Sequence, residues 1–216
     1  MSNDELQLNV SDELLWDPKI DSASIAVSAD DGTVTLKGTV GSFREKQEAK
    51  KAAERVWGVK KVDNKLQVRF LDSFGRDDAD LRGAVLQALM LDSLVPTTID
   101  ASVTNGVVTL TGTAAWMYQR EEAETVAGNV TGVIEVDDHI DLVGQTPKPE
   151  DVEKAIKRSF ERNAKLDAKS LAVESTNGTV TLSGVVGSWA EHEEAVDAAW
   201  AAPGVTKVDD RIVVAY

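Results

Sequence analysis

Residues 31–38 read DGTVTLKG, and the phrase returns as NGVVTLTG at 105–112 and as NGTVTLSG at 177–184. Its two leading residues, Asp-Gly or Asn-Gly, suit a type I′ turn, which needs positive φ at both central positions. Around the turn, apolar and polar residues alternate. Ile25 and Val27 precede it, and Val34, Leu36 and Gly38 follow it, separated by Thr33, Thr35 and Lys37. Alternation of this kind is the mark of a half-buried strand, so the phrase predicts a β-hairpin turn with its second strand. Gly38, Gly112 and Gly184 fall on the inward face, where a bulge or a closely packed helix calls for glycine.

The recurrence extends beyond the phrase. Gly32, Gly106 and Gly178 are spaced 74 and 72 residues apart, and the same shifts superpose Ala49, Ala123 and Ala195. They also superpose Gly58-Val59, Gly132-Val133 and Gly204-Val205. Three copies of one unit are therefore expected, at 1–71, 76–144 and 148–216, joined near 71–75 and 144–149. In each copy a helix precedes the hairpin, with stripes Leu6/Val10/Leu14, Leu81/Val85/Leu89 and Val152/Ile156/Phe160 at spacing i, i+4, i+8. A second helix follows it, opened by the capping boxes Ser42/Glu45 and Ser188/Glu191. A third strand ends the copy, with Ile212 and Val214 facing inward in the last one. The fold class is α+β: three tandem αββαβ modules, each a small mixed three-stranded sheet with two helices on one face. The third core is expected to hold Val152, Ile156, Phe160, Leu171, Val173, Val180, Leu182, Ala195, Ile212 and Val214. The outward sheet faces are polar and one of them, or a sheet edge, is expected to carry inter-module contact.

The order of elements, the D/N-G-x-V-x-L-x-G hairpin and the G-V-x-x-V-D/N entry to the last strand resemble the BON domain, the bacterial osmotic-shock and nodulation domain, over nearly the whole chain. The resemblance implies a non-enzymatic binding or scaffold protein, stress- or envelope-related, whose partner is phospholipid or protein. An alternative is a cytoplasmic cation (potassium)-binding or stress-response protein, and a third reading is an interaction protein using open sheet faces. Most characterised family members are envelope proteins with a signal peptide or lipid anchor. Here the first residues, MSNDELQLNVSDELLW, are acidic and polar, which predicts a cytoplasmic protein, or a periplasmic one if the native N-terminus differs.

Cysteine is absent, which removes disulfides, thiolate metal sites and cysteine nucleophiles. His192 sits on the acidic start of a helix and His139 shares an outward strand face with Asp141, but neither has the further ligands that a zinc site requires. The glycines are turn glycines and match no phosphate loop. No cofactor and no catalytic residue is assigned. Charge is uneven: residues 1–71 carry 11 basic and 12 acidic side chains, 72–147 carry 3 and 13, and 148–216 carry 9 and 12, for a net −14. This balance speaks against nucleic acid. The second helix of the first copy is basic, with Arg44, Lys50, Lys51 and Arg55, so it could face an anionic lipid surface or a neighbouring acidic copy.

Two aromatic features complete the candidate binding residues. Trp116 replaces the capping serines Ser42 and Ser188, Met117 aligns with Phe43 and Trp189, and Tyr118 follows; Trp116 and Tyr118 are expected to form an exposed aromatic edge, with Met117 between them among the candidate binding residues. The position of Phe43, Met117 and Trp189 reads as a staple between helix start and sheet. Trp200 lies about 140° round its helix from Ala195 at ~100° per residue, which predicts that it stands clear of its own core and meets a partner surface.

Overall fold

The computed structural model describes residues 1–69, 76–144, 148–163, 166 and 170–215. The expected link at 71–75 lies outside the described residues, as do 145–147 of the second link. The first copy runs α1 (Asn3–Trp16), β1 (Ile25–Asp30), β2 (Thr33–Val40), α2 (Phe43–Glu54) and β3 (Lys61–Val68). The second runs α3 (Asp78–Leu91), β4 (Asp100–Thr104), β5 (Val107–Ala114), α4 (Met117–Gly128) and β6 (Glu135–Leu142). The third runs α5 (Pro149–Arg162), β7 (Leu171–Thr176), β8 (Thr179–Val186), α6 (Trp189–Trp200) and β9 (Lys207–Val214). The order αββαβ therefore holds in all three. Each sheet has its hairpin's second strand at the centre, in the orders β1-β2-β3, β4-β5-β6 and β7-β8-β9. β1 is antiparallel to β2 and β3 is parallel to it; β7, β8 and β9 repeat the pattern.

The hairpin turns take the conformation that their sequence demands. Asp31 and Gly32 have φ of 44° and 81°, Asn105 and Gly106 53° and 77°, and Asn177 and Gly178 48° and 80°. The inward glycines answer to a different neighbour from the expected helix. A Cβ on Gly38 would stand 1.9 Å from the backbone oxygen of Ser24, and one on Gly184 2.1 Å from that of Ser170. In the first and third copies the chain entering the hairpin's first strand passes so close that only glycine fits, at φ of 134° and 139°.

The helix stripes are buried as their spacing requires: Leu6, Val10 and Leu14 on α1, Leu81, Val85 and Leu89 on α3, Val152, Ile156 and Phe160 on α5. On α2, α4 and α6 the buried positions are mostly alanines, Ala49 and Ala52, Ala123 and Ala127, Ala195 and Ala199. Small side chains let the helix lie close against the sheet, so the core is filled from the strands and the first helix. The third core holds the whole expected set, with Ile212 only partly buried against it.

By contacts the chain forms two compact units, one of Met1–Thr111 with Ala123–His139 and the other of Gly112–Glu122 with Ile140–Tyr216. Within the first, copies one and two touch directly. The buried ring of Phe43 lies 2.5 Å from where a Cβ on Gly128 would stand. Arg44 donates to Oδ1 of Asn129 at 3.3 Å, and Lys46 pairs with Glu135. These copies meet through the start of α2 on one side and the end of α4 with the start of β6 on the other. Within the second unit, Gly144 reaches the backbone of Gly204, where a Cβ would come 3.2 Å from its Cα.

Candidate functional site

The basic helix of copy one is engaged internally. Arg55 pairs with Glu13 and with Asp17 on α1 and its C-cap, at 3.0 Å each, and Lys50 lies 3.5 Å from Glu54. Lys19 pairs with Glu48 at 2.6 Å, which holds the Glu48 carboxyl below its ordinary value. The Asp17 carboxyl is lowered too, first by the N–H of Lys19 and then by Arg55. Lys46 and Arg44 reach to copy two, while Arg44, Lys50, Lys51 and Arg55, the expected basic set, all remain exposed on the surface.

The aromatic edge of copy two is only partly as expected. Tyr118 is exposed, whereas Trp116 and Met117 are half-buried. Copy two lacks the serine half of the cap and keeps the other half. Gln119 Oε1 accepts from the N–H groups of Ala115 and Trp116, at 3.0 and 3.2 Å. In copies one and three the helix start has both halves: Ser42 accepts from Glu45 N and Ser188 from Glu191 N, while Glu45 and Glu191 reach back to Gly41 and Gly187. Trp200 is corrected: it is half-buried and packs against the core of its own copy. From outside the alanine stripe, the large indole still reaches the apolar surface of its own copy.

Sequence reading missed a different surface. α1 runs two residues past its last buried stripe residue, Leu14, before the Asp17-Pro18 pair stops it, and α3 likewise runs two past Leu89. At ~100° per residue, the second of these points about 200° away from the stripe, hence off the core. Leu15 and Trp16 are 73% and 86% exposed, and the homologous Met90 and Leu91 are 83% and 79% exposed. Leu94, just beyond α3, is exposed too. Copy three has Glu161 and Arg162 at the same place. Two copies thus carry a bare apolar tip at the end of the first helix, and the third carries a charged one. The available signal was the repetition of an apolar pair directly after the stripe, which is easily read as part of it.

Among the described residues, no group of three or more His, Asp or Glu side chains is placed to hold a metal ion. His139 is exposed, and His192 Nε2 lies 2.7 Å from Asp210. Among the described residues, no helix is long and apolar enough to cross a membrane.

Osmotically-inducible protein Y of Escherichia coli (strain K12) is 33% identical over 139 residues, covering 62% of this chain and 69% of that protein. Among solved structures, CdsD, a structural protein of the type III secretion system of Chlamydia trachomatis, aligns over 98% of this chain and 92% of its own at 16% identity, with a TM-score of 0.28. The C-terminal domain of CdsD gives 15% identity at the same TM-score, 0.28, over 100% of both chains. Residues 2–69, 77–144 and 149–216 each match the BON domain. With three such matches spanning nearly all of its length, the chain belongs to the BON domain family, as three copies in tandem.

Proposed function

We propose that this chain is a non-enzymatic, stress-related binding protein that docks on phospholipid surfaces through the apolar tips of its first two copies. The observation that carries the reading is the pairing of Leu15-Trp16 with Met90-Leu91, exposed at homologous helix ends. Burying one large apolar side chain contributes about 1.5–3 kcal/mol, so a single tip binds weakly and reversibly. Two tips on one chain act together, as paired lipid anchors do. An indole suits the headgroup boundary because it joins an apolar body to an N–H donor.

The osmotically-inducible relative supports the stress assignment. The charge pattern then specifies the lipid dependence. With net −14 on the chain, and with Lys46 and Arg55 paired within it, docking runs on apolar burial rather than on attraction to anionic lipid. Flotation with phosphatidylcholine vesicles tests this. The wild-type chain is expected to float, with no gain from added phosphatidylglycerol and no loss in high salt, and Trp16→Ser with Leu91→Ser is expected to stay at the bottom. A wild-type chain that does not float on either vesicle overturns the reading.

A further inference from the structure

In two copies the hairpin turn is tied to the first residue of the helix before it. Asn3 opens α1, and its Oδ1 accepts from the N–H of Asp31 at 3.1 Å. Asp78 opens α3, and its carboxylate accepts from both turn residues, from Asn105 N at 2.7 Å and from Gly106 N at 3.0 Å. Pro149 opens α5 and has no side-chain acceptor to offer the turn at Asn177-Gly178. Glu153 on α5 accepts instead from Ser175 N at 2.9 Å, ahead of the turn.

The surroundings of the two Asn-Gly turns differ in the same direction. Asn105 and Asn177 are both exposed, but Gly106 is buried and Gly178 only half-buried. Ile134 lies over Gly106, where a Cβ would stand 2.8 Å from its Cδ1. At the same place in copy three is the hydroxyl of Thr206, 2.9 Å from where a Cβ on Gly178 would stand.

An asparagine that precedes glycine can close its side chain on the backbone, since glycine puts no side chain beside the attacking nitrogen. The glycine nitrogen loses its proton to hydroxide and bonds to Cγ of the asparagine. The Cγ–Nδ2 bond breaks, and ammonia leaves with a proton returned by water. The cyclic imide then takes up one water, at Cγ to give aspartate or at the main-chain carbon to give isoaspartate. In copy two the Gly106 N–H is held by a carboxylate, which disfavours loss of its proton and must let go before the turn can relax. In copy three, among the described residues, no carboxylate holds the Gly178 N–H.

We propose that Asn177-Gly178 is a site of spontaneous modification, where Asn177 converts to aspartate and isoaspartate, and that Asp78 protects the same dipeptide in copy two. The proposal goes beyond the lipid reading and does not depend on it. The aspartate product fits the turn, because Asp31 occupies the homologous place at a φ of 44°, beside the 48° of Asn177. Isoaspartate adds a methylene to the main chain, so the two-residue turn no longer matches the pairing of Thr176 with Thr179.

Incubation of the full chain at mildly alkaline pH, followed by proteolysis and mass spectrometry of the peptides around 105 and 177, tests it. Asn177 is expected to convert about tenfold faster than Asn105 or more, because the bonds from Asp78 must open first. Asp78→Ala is expected to bring Asn105 up toward the rate at Asn177, with circular dichroism to confirm its fold; the wild-type comparison stands whether or not that variant folds. Equal rates at the two sites, or a faster rate at Asn105, overturn the proposal. So does an unchanged Asn177 over a period in which an unfolded Asn-Gly peptide converts fully, or a folded Asp78→Ala chain in which Asn105 converts no faster than in the wild type.

Discussion

Phe43 stands over Gly128 so closely that a Cβ there would lie 2.5 Å from its ring, and this pair marks where the first copy meets the second. Gly128→Val would push the ring out of its place, at a cost of about 1–3 kcal/mol, as overpacking of a filled core does. Phe43→Ala would cost about 3–5 kcal/mol. Urea denaturation checks both. If the two substitutions were strictly additive in the double variant, the residues would not share a contact.

The close passage of Ser170 over Gly184 gives a second expectation. Gly184→Ala places a methyl group 2.1 Å from a backbone oxygen that no side-chain rotation can move, at a φ of 139°. A loss of about 1–3 kcal/mol is expected from the backbone strain alone. Thermal unfolding unchanged by Gly184→Ala would contradict the local geometry.

Helix starts should differ between copies. Ser188→Ala removes the acceptor for Glu191 N and should cost about 0.5–2 kcal/mol. Copy two has no such serine, so there the side chain of Gln119 matters: Gln119→Ala removes the acceptor of two backbone donors and should cost about 1 kcal/mol. Denaturation midpoints of the two variants provide the comparison.

Stability should fall on acidification through the carboxylates of copy one. The Asp17 and Glu48 carboxyls are both held below their ordinary values in the folded chain. Such groups stabilise the fold above their unfolded pKa values, near 4, and lose that contribution as pH falls through the lower folded values. Asp17→Asn should flatten the acid limb of the stability profile while leaving its slope near neutrality alone. An acid limb as steep as that of the wild type would contradict the pairing of Asp17 with Lys19 N–H and Arg55.

Local pattern made most of the fold legible. The Asp-Gly and Asn-Gly turns, the i, i+4, i+8 stripes and the capping serines each act within a few residues, and each appears where its chemistry requires. What was not legible depends on partners far along the chain. Phe43 reads as a staple against its own sheet, since nothing near it in sequence announces Gly128. Arg55 reads as a cation available to lipid because Glu13 and Asp17 reach it only once α1 and α2 pack. Trp200 misleads for the opposite reason: its angular position is outside the stripe, but a side chain that large still packs against the core of its own copy. The tips at Leu15-Trp16 and Met90-Leu91 adjoin buried leucines, so periodicity alone assigns them no surface of their own.

The absence of cysteine allows the most direct measurement of the docking surface. Trp16→Cys, Leu91→Cys and Arg162→Cys each create a single attachment point for an environment-sensitive fluorophore, at homologous helix ends of the three copies. On mixing with phosphatidylcholine vesicles, the probe is expected to shift to the blue at positions 16 and 91 and to stay unchanged at 162. No shift at positions 16 and 91, or an equal shift at all three, would contradict docking through the apolar tips.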